Sequence, residues 1–198
     1  MFGGPDLAAA AEVVASGGLV VYPTETVYGL GADALDPAAV ERVFAAKGRD
    51  RSEPISLGVA DVERALKYVH ATERERTFVR HFLPGPVTVV LERRDVVPDA
   101  LTGGHERVGI RVPDHDLARE LLARTGPLTA TSANVSGRES ATRPEDVDPE
   151  IRDAAGAILD GGETAGAAST VVDVNAGEIH RHGADADRIE NWLKTRSE

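Results

Sequence analysis

Short β-prone runs alternate with capped, helix-prone segments along nearly the whole chain. Strands are predicted where apolar and β-branched residues cluster, at 19–22, 55–59, 87–91, 108–112, 128–131, 157–160, 170–174 and 178–182. Helices are predicted where a capping residue or proline precedes a segment with helical spacing of apolar residues. Four have predicted bounds: 7–14 (capped by Asp6), 36–46, 114–123 (capped by Asp114) and 185–194. Three more are predicted to begin after Asp61, after Thr72 and at Pro144. This alternation favours an α/β fold, and we expect one domain over residues 1–198.

The composition excludes several classes of protein and of active site. Hydrophobic residues make up 41% of the chain, enough for a core. The sequence has no cysteine, which excludes disulfides, thiolate metal sites and cysteine nucleophiles. No apolar run approaches the length of about 18 residues that spans a bilayer. The first residues lack the basic and apolar regions of a signal peptide, so we expect a cytoplasmic protein.

The charge of the chain is strongly acidic. Asp and Glu total 33 against 22 Lys and Arg, a net charge of −11, and only three of the basic residues are lysines. An acidic surface poor in lysine suits a high-salt cytoplasm, where screening mutes self-repulsion, so we predict a halophile. An ordinary acidic protein is the alternative. A negative surface also argues against non-specific nucleic-acid binding, which depends on phosphate neutralisation.

Three predicted strands end in unusual polar residues. PTET (23–26) follows the first strand, RVP (111–113) closes the fourth, and TSAN (131–134) follows the fifth. In open α/β sheets ligands bind at strand ends, so the three segments suggest one shared pocket. Three unrelated turns are the alternative, because Pro, Ser, Thr and Asn also favour turns.

The segment AKGRDRSEP places Lys47, Arg49 and Arg51 around Gly48 at a predicted helix end. One interpretation is structural, because the helix dipole favours cations at its C-terminus. The other is phosphate recognition, since the side chains of Lys47 and Arg49 would point the same way from an extended exit. The residues alone leave both interpretations open.

Two further segments carry polar groups that require partners. TSANVSG supplies Ser132, Asn134 and Ser136, whose small side chains can bind phosphate oxygens together with backbone N–H groups, or can simply form a turn. Arg111 lies in an apolar strand, where a guanidinium requires a carboxylate from the protein or from a ligand. The glycine-rich loop 161–168 lacks the GKS/T of a Walker A motif, and HExxH and GxSxG motifs are absent from the sequence.

Six segments occur in the order seen in the Sua5/YrdC/TsaC family: YPTETVYGLGADALD, KGR, PGPVTVVL, VGIRVPDH, TSANVSG and STVVDV. The chain resembles this family from about residue 7 to residue 183, in its short single-domain form. The resemblance implies a twisted, mixed, open α/β sheet flanked by helices around a central basic cavity. It also implies an L-threonylcarbamoyladenylate synthase, a nucleotidyltransferase that uses ATP with Mg²⁺.

The implied reaction joins L-threonine, bicarbonate and ATP into threonylcarbamoyl-AMP and pyrophosphate. The product would pass to a tRNA threonylcarbamoyltransferase complex for t6A modification, so tRNA is expected only as an indirect partner. No membrane partner is expected.

The resemblance assigns residues to two groups of contacts. Lys47 and Arg49 resemble the K-x-R phosphate ligands and are the candidate catalytic residues. The residues implied to bind ATP are Lys47, Arg49, Ser132, Asn134, Ser140 and Arg181. Those implied to bind threonine are Thr26, Arg111, Ala130 and Ser169. We identify neither a metal ligand nor a general base.

The chain departs from the family pattern near these residues. Glu53-Pro54-Ile55 and then Gly58 stand where Sua5 relatives often have Asn-Pro-Leu and then His, and AAST lacks an acidic residue common before the S-T pair. These departures keep open a paralogue of the same fold that binds nucleotide but uses another carbamoyl substrate. An RNA-binding module is a further alternative, against which the net charge counts.

Overall fold

A computed structural model describes residues 7–195. Asp6, the predicted cap of the first helix, lies outside them. The strands are β1 (Leu19–Tyr22), β2 (Gly29–Gly31), β3 (Ser56–Gly58), β4 (Val69–His70), β5 (Val87–Arg93), β6 (Arg107–Arg111), β7 (Leu128–Ser132), β8 (Ala155–Ile158), β9 (Thr170–Asp173) and β10 (Glu178–Arg181). The α-helices are α1 (Leu7–Ala15), α2 (Pro37–Lys47), α3 (Val62–Ala65), α4 (Glu73–Phe82), α5 (Asp99–Thr102), α6 (Asp116–Thr125), α7 (Pro149–Ala154) and α8 (Ala186–Thr195).

The strands form one mixed, open sheet in the order β10-β9-β5-β6-β3-β7-β2-β1-β8, with β4 paired to β5. The pairs β1/β8, β3/β6 and β5/β9 are parallel. The remaining pairs are antiparallel, including the predicted hairpin of β9 and β10. The predicted twisted, mixed, open α/β sheet flanked by helices is therefore confirmed.

Strand β1 shows how the two faces of the sheet are covered. All four of its residues are buried, and they alternate between two apolar clusters. Leu19 and Val21 pack in the cluster that contains α2, α4 and α8, whereas Val20 and Tyr22 pack in the cluster that contains α1 and α6. Alternation of successive side chains across a strand explains this division, and helices on both faces explain why the strand is wholly apolar.

Helix α2 begins and ends at residues that its sequence specifies. The Asp36 side chain accepts a hydrogen bond from the Ala38 N–H, and Pro37 occupies the first position, where no N–H is needed. Gly48 ends the helix in the left-handed conformation, at φ 56°. This ending fixes Lys47 on the last turn and Arg49 just beyond it.

Helix α4 confirms the predicted cap at Thr72. The Thr72 hydroxyl accepts from the Glu75 N–H while the Glu75 carboxylate accepts from the Thr72 N–H, the reciprocal pair of a capping box.

In the described part of the chain, no helix combines the length and the apolar character needed to cross a membrane.

Two predicted helix starts are wrong. Pro144 begins a 3₁₀ turn of three residues, and the α-helix starts only at Pro149, where a second proline fits the first position. Helix α6 has His115 at its N-cap rather than Asp114, without a side-chain capping bond. Sequence analysis also missed β2, β4 and α5, which are short; β2 reads Gly-Leu-Gly and is held by pairing with β1 and β7.

Candidate active site

The segment PTET meets the end of strand β6 at a buried ion pair. Arg111 is 7% exposed, and its Nη2 donates to Glu25 Oε1 at 2.9 Å and to Thr26 Oγ1 at 2.8 Å. The protein therefore supplies the carboxylate that a guanidinium buried in an apolar strand requires. Among residues 7–195, both hydrogen bonds of the Arg111 side chain use Nη2, so Nε and Nη1 remain for another acceptor.

Hydroxyl groups fix the backbone of this segment. Thr24 Oγ1 donates to the Val27 carbonyl at 2.7 Å and accepts from the Thr26 and Val27 N–H groups. Because its only proton goes to Val27, the Thr26 hydroxyl must donate across the 2.9 Å contact between the two threonines. Thr26 is thereby left to accept from Arg111. The run of hydroxyls after β1 is thus a hydrogen-bonded turn that holds Glu25 and Thr26 against Arg111.

Lys47 is a buried cation that connects α2 to strand β7. It is 1% exposed, and its ammonium group donates to the carbonyls of Ser132, at 2.5 Å, and Asn134, at 2.6 Å. Burial lowers its pKa from the ordinary 10.5 to about 8, and the neighbouring charge of Arg49 acts in the same direction. A lysine at this pKa changes charge close to neutral pH.

Arg49 is held at the rim by the segment that follows it. Its Nε donates to the Glu53 carbonyl at 3.0 Å, its Nη2 to the Pro54 carbonyl at 3.2 Å, and its Nη1 lies 3.5 Å from the Glu53 carboxylate. The side chain stays 26% exposed. Glu53, one of the departures from the family pattern, therefore faces a cation, although its own side chain is largely exposed.

The loop after β7 uses its polar side chains to hold its own shape. The Asn134 amide nitrogen donates to the carbonyls of Val135 and Arg138, at 2.8 and 3.0 Å. The Ser140 hydroxyl donates to Asn134 Oδ1 at 3.4 Å. Ser132 contributes its carbonyl to Lys47 and pairs with Gly29 across β2. The structure therefore brings Lys47, Ser132, Asn134 and Ser140 together.

Ser169 and Arg181 form the far side of the same region. Arg181 Nη2 donates to the Ser169 hydroxyl at 2.9 Å, and its Nε donates to the Ser169 carbonyl at 3.0 Å. Ser169 Oγ also lies 3.1 Å from the hydroxyl of Thr88 on β5. The start of β9 and the end of β10 are joined through these contacts, which orient the guanidinium.

The charges of two other arginines act on Arg181. The pKa of Arg181 is lowered by partial burial and then by the charges of Arg111 and Arg49. Both arginines therefore lie within electrostatic range of Arg181. Although the chain carries a net charge of −11, these arginines create a local positive potential that attracts an anionic ligand. The central basic cavity implied by the resemblance stays a prediction, and the two cavities described below are lined by other residues.

Small residues line the wall between the cations. Ala130 on β7 pairs with Ser56 on β3, and a Cβ on Gly58 would lie 3.3 Å from the Ala130 Cβ and 3.7 Å from the Tyr22 hydroxyl. Burial raises the pKa of Tyr22 to about 12, so its phenol is neutral. Gly58, one of the departures from the family pattern, contributes no side chain beside Ala130 and the Tyr22 hydroxyl.

Glu25 lies in the PTET segment that was expected to border a pocket, and Tyr28 follows that segment. Neither was given an individual role from the sequence, yet both organise the region. The Tyr28 hydroxyl accepts from the Gly161 N–H at 3.1 Å and donates to the Gly162 carbonyl at 2.8 Å. The Gly166 N–H donates to the Thr26 carbonyl at 2.7 Å. The glycine-rich loop 161–168 is therefore attached to the PTET segment. Both residues lie in the segment YPTETVYGLG at the end of β1, and that position was the sequence signal that could have identified them.

Two cavities lie away from this region. One, of about 280 Å³, is lined by residues near the start of α4 and on β4, β5 and β6; the other, of about 530 Å³, lies between the β9–β10 turn and α8. None of the predicted site residues lines either cavity. Within residues 7–195, no group of three or more His, Asp or Glu side chains is placed to hold a metal ion.

The family model described as "Telomere recombination", which covers the Sua5, YciO and YrdC proteins, matches residues 12–183. The chain belongs to the Sua5/YciO/YrdC family. Among its relatives is the threonylcarbamoyl-AMP synthase of Pyrococcus abyssi, 42% identical over 168 residues, which are 83% of this chain and 49% of the relative. The enzyme of the same name from Pseudomonas savastanoi is 35% identical over 178 residues, 88% of this chain and 95% of the relative.

A solved member of the Sua5/YciO/YrdC family has the same fold. The crystal structure of P. abyssi Sua5 complexed with L-threonine matches with a TM-score of 0.88 and 39% identity, over 94% of this chain and 56% of that one. The chain spans about half the length, 49% and 50%, of the first two curated relatives it matches.

Proposed function

We propose that this chain is an L-threonylcarbamoyladenylate synthase that acts on L-threonine, bicarbonate and ATP. The observation that carries the proposal is Arg111: a buried guanidinium at a strand end, with Nε and Nη1 free among the described residues, beside two further arginines. A carboxylate beside a polyphosphate is the ligand such a cluster fits. The names of the two relatives and the threonine-bound family structure support the choice of substrate.

The proposed threonine site lies around Arg111. Its free nitrogens would bind the substrate carboxylate, and Thr26, fixed by the turn after β1, would face the substrate beside it. Ala130 would line the wall of small residues. Ser169, oriented by Arg181, would provide a hydroxyl near the side chain of threonine.

The proposed nucleotide site lies around Lys47, with Lys47 and Arg49 as the catalytic residues. Arg49 and Arg181 offer guanidinium groups at the rim, and Lys47 offers a charge that can be redirected from two carbonyls to phosphate. The loop containing Ser132, Asn134 and Ser140 would contact the nucleotide with its backbone N–H groups and hydroxyls. Mg²⁺ would enter with ATP, held by phosphate oxygens, since the described side chains offer no ligand cluster.

The proposed chemistry needs positioning and charge more than acid–base groups. The amine of threonine attacks the carbon of CO₂ or bicarbonate and forms a carbamate, with water lost from bicarbonate. A carbamate oxygen then attacks the α-phosphate, the bond to the β-phosphate oxygen breaks, and pyrophosphate leaves. Negative charge grows on the phosphates, so Lys47, Arg49 and Arg181 would stabilise the transition state.

Pyrophosphate release tests the proposed function. Protein incubated with ATP and Mg²⁺ should release pyrophosphate only when both threonine and bicarbonate are present. Release that requires bicarbonate but prefers another amine would favour the paralogue that uses another carbamoyl substrate. The departures from the family pattern at Glu53 and Gly58 are the reason to consider that paralogue. Tight RNA binding without pyrophosphate release would favour the RNA-binding module. In the proposed pathway the product passes to a tRNA threonylcarbamoyltransferase complex.

The lowered pKa of Lys47 predicts that ATP binding depends on pH. In the free protein Lys47 loses its proton near pH 8, and bound phosphate favours the charged form, so binding takes up a proton above that pH. The affinity for a non-hydrolysable ATP analogue should therefore fall between pH 7.5 and 9.5, approaching about tenfold per pH unit at the upper end. Calorimetric titration measures this, and the slope should vanish in Lys47→Met. A wild-type affinity that is constant over this range would contradict the prediction.

We also propose that the acidic surface is an adaptation to high salt. Screening reduces repulsion among surface carboxylates, so the melting temperature should rise with KCl up to molar concentrations. A thermal melting series in KCl, with a neutral osmolyte at matched osmolality as control, measures the effect. A melting temperature that stays constant or falls would leave an ordinary acidic protein as the explanation.

A further inference from the structure

Glu25 has one carboxylate oxygen that the protein does not satisfy. Its Oε1 accepts from Arg111 Nη2 at 2.9 Å, but its Oε2 is buried and has no hydrogen-bond partner among the described residues. The side chain as a whole is 16% exposed. A buried, ionised oxygen without a donor is unfavourable, so its position requires an explanation.

The neighbouring hydroxyl donors are already engaged, and Arg111 donates to Glu25 only at Oε1. Thr26 directs its hydroxyl proton to Thr24, and the Tyr22 hydroxyl lies 3.3 Å from the Thr129 carbonyl, to which it donates. The free oxygen of Glu25 therefore lies in the region that holds Arg111, where a ligand would have to bring the donor.

We infer that Glu25 Oε2 binds the α-ammonium group of the amino-acid substrate. This inference rests on the proposed function, in which Arg111 binds the substrate carboxylate. In an amino acid one carbon separates the carboxylate from the ammonium, and in the protein one hydrogen bond of 2.9 Å separates the guanidinium from Glu25. The ion pair of Arg111 and Glu25 thus offers one charge of each sign, side by side, to a substrate that carries the same two charges on neighbouring groups.

The contact makes Glu25 a specificity-determining residue. It favours α-amino acids over α-hydroxy acids, whose neutral hydroxyl group gives up the ionic part of the contact. It also lies where the reacting nitrogen must lie. The ammonium first releases one proton to solvent and becomes the nucleophilic amine, and a second proton leaves with the hydroxide of bicarbonate as water. The carbamate nitrogen then keeps one N–H, which can continue to donate to Glu25 and hold the carbamate in place for its attack on the α-phosphate.

The test compares two ligands on two proteins. L-Threonine and 2,3-dihydroxybutanoate of matching stereochemistry, which carries a hydroxyl in place of the amine, are titrated into wild type and Glu25→Gln with a non-hydrolysable ATP analogue present. The variant replaces the free oxygen by an amide that retains its size, and it should bind threonine about ten- to a hundred-fold more weakly. Its affinity for the hydroxy acid should stay within a few-fold of wild type.

The outcomes separate this inference from the proposed function. Wild type that binds no threonine overturns both. Two outcomes overturn only the assignment of Glu25. In the first, wild type binds threonine and Glu25→Gln binds it equally well. In the second, Glu25→Gln loses threonine and the hydroxy acid equally, which would mean that Glu25 acts through Arg111. If the variant does not fold in a melting curve, wild type alone decides: threonine must bind at least about tenfold more tightly than the hydroxy acid.

Discussion

Replacing Lys47 by methionine is expected to weaken binding of an ATP analogue by about ten- to a hundred-fold, because a charge-assisted hydrogen bond contributes about 1.5–3 kcal/mol. Turnover should fall at least as far, since the charge on the phosphates increases in the transition state. Methionine keeps the length and apolar character of the buried side chain and removes only the ammonium. Arg49→Ala should have a similar but smaller effect, because its guanidinium is partly exposed and partly used by the carbonyls of Glu53 and Pro54.

The stability of the Lys47 variant must be measured beside its affinity. The carbonyls of Ser132 and Asn134 lose their donor, which costs about 1–3 kcal/mol of unfolding free energy, although relief of the buried charge offsets part of this. Titrations therefore belong at a temperature where the melting curve shows folded protein. Arg51→Ala is the matched control: Arg51 is 68% exposed and pairs with Glu41, so binding should not change. A folded Lys47→Met protein with wild-type affinity would refute the nucleotide assignment.

Local sequence signals predicted the elements that depend on local chemistry. Asp36-Pro37 and Gly48 fix both ends of α2, and the capping box at Thr72 fixes the start of α4, because each bond lies within a few residues. The burial of Arg111 was also predictable, since its neighbours on the strand are apolar. Two of the three strand-end segments meet, since Glu25 and Thr26 of PTET bind Arg111, whereas the pocket shared by all three stays a prediction.

The contacts that depend on distant partners were not predictable. Nothing near Arg111 in sequence identifies Glu25, 86 residues away, as its partner. Strand β2 has no intrinsic preference for a strand and exists through pairing on both sides. The glycine-rich sequence of loop 161–168 does not indicate a fixed position for the loop. The Tyr28 hydroxyl, more than 130 residues away in sequence, hydrogen bonds to its backbone at Gly161 and Gly162. Tertiary context decides each of these cases.

Replacing Arg111 by lysine is expected to raise the KM for threonine by about ten-fold or more while leaving ATP affinity nearly unchanged. The guanidinium carries five N–H donors, so under the proposed function Nη1 or Nε would donate to the substrate carboxylate while Nη2 stays on Glu25 and Thr26. A lysine ammonium can neutralise Glu25 but cannot serve both carboxylates with that geometry. The melting temperature of Arg111→Lys should therefore change much less than its threonine affinity.

Arg111→Ala tests the two proposed partners of the arginine, the Glu25 carboxylate and the substrate carboxylate, in separate measurements. Removing it leaves Glu25 with neither oxygen paired to a cation, which should lower the unfolding free energy by about 3–5 kcal/mol. Adding Glu25→Gln removes the stranded charge and should restore much of that stability. Threonine binding should remain lost in the double variant, because the substrate carboxylate still lacks its partner.

Calorimetric titration of threonine with a non-hydrolysable ATP analogue, beside a melting curve for each variant, decides between two accounts of Arg111. If the arginine serves only the structural pair with Glu25, the double variant will bind threonine as tightly as the Glu25→Gln single variant. If it also binds substrate, stability will recover but the double variant will bind threonine more weakly than Glu25→Gln alone. Unchanged threonine affinity in a well-folded Arg111→Lys protein would eliminate the carboxylate contact, because the protein would then bind threonine without the guanidinium to which that contact is assigned.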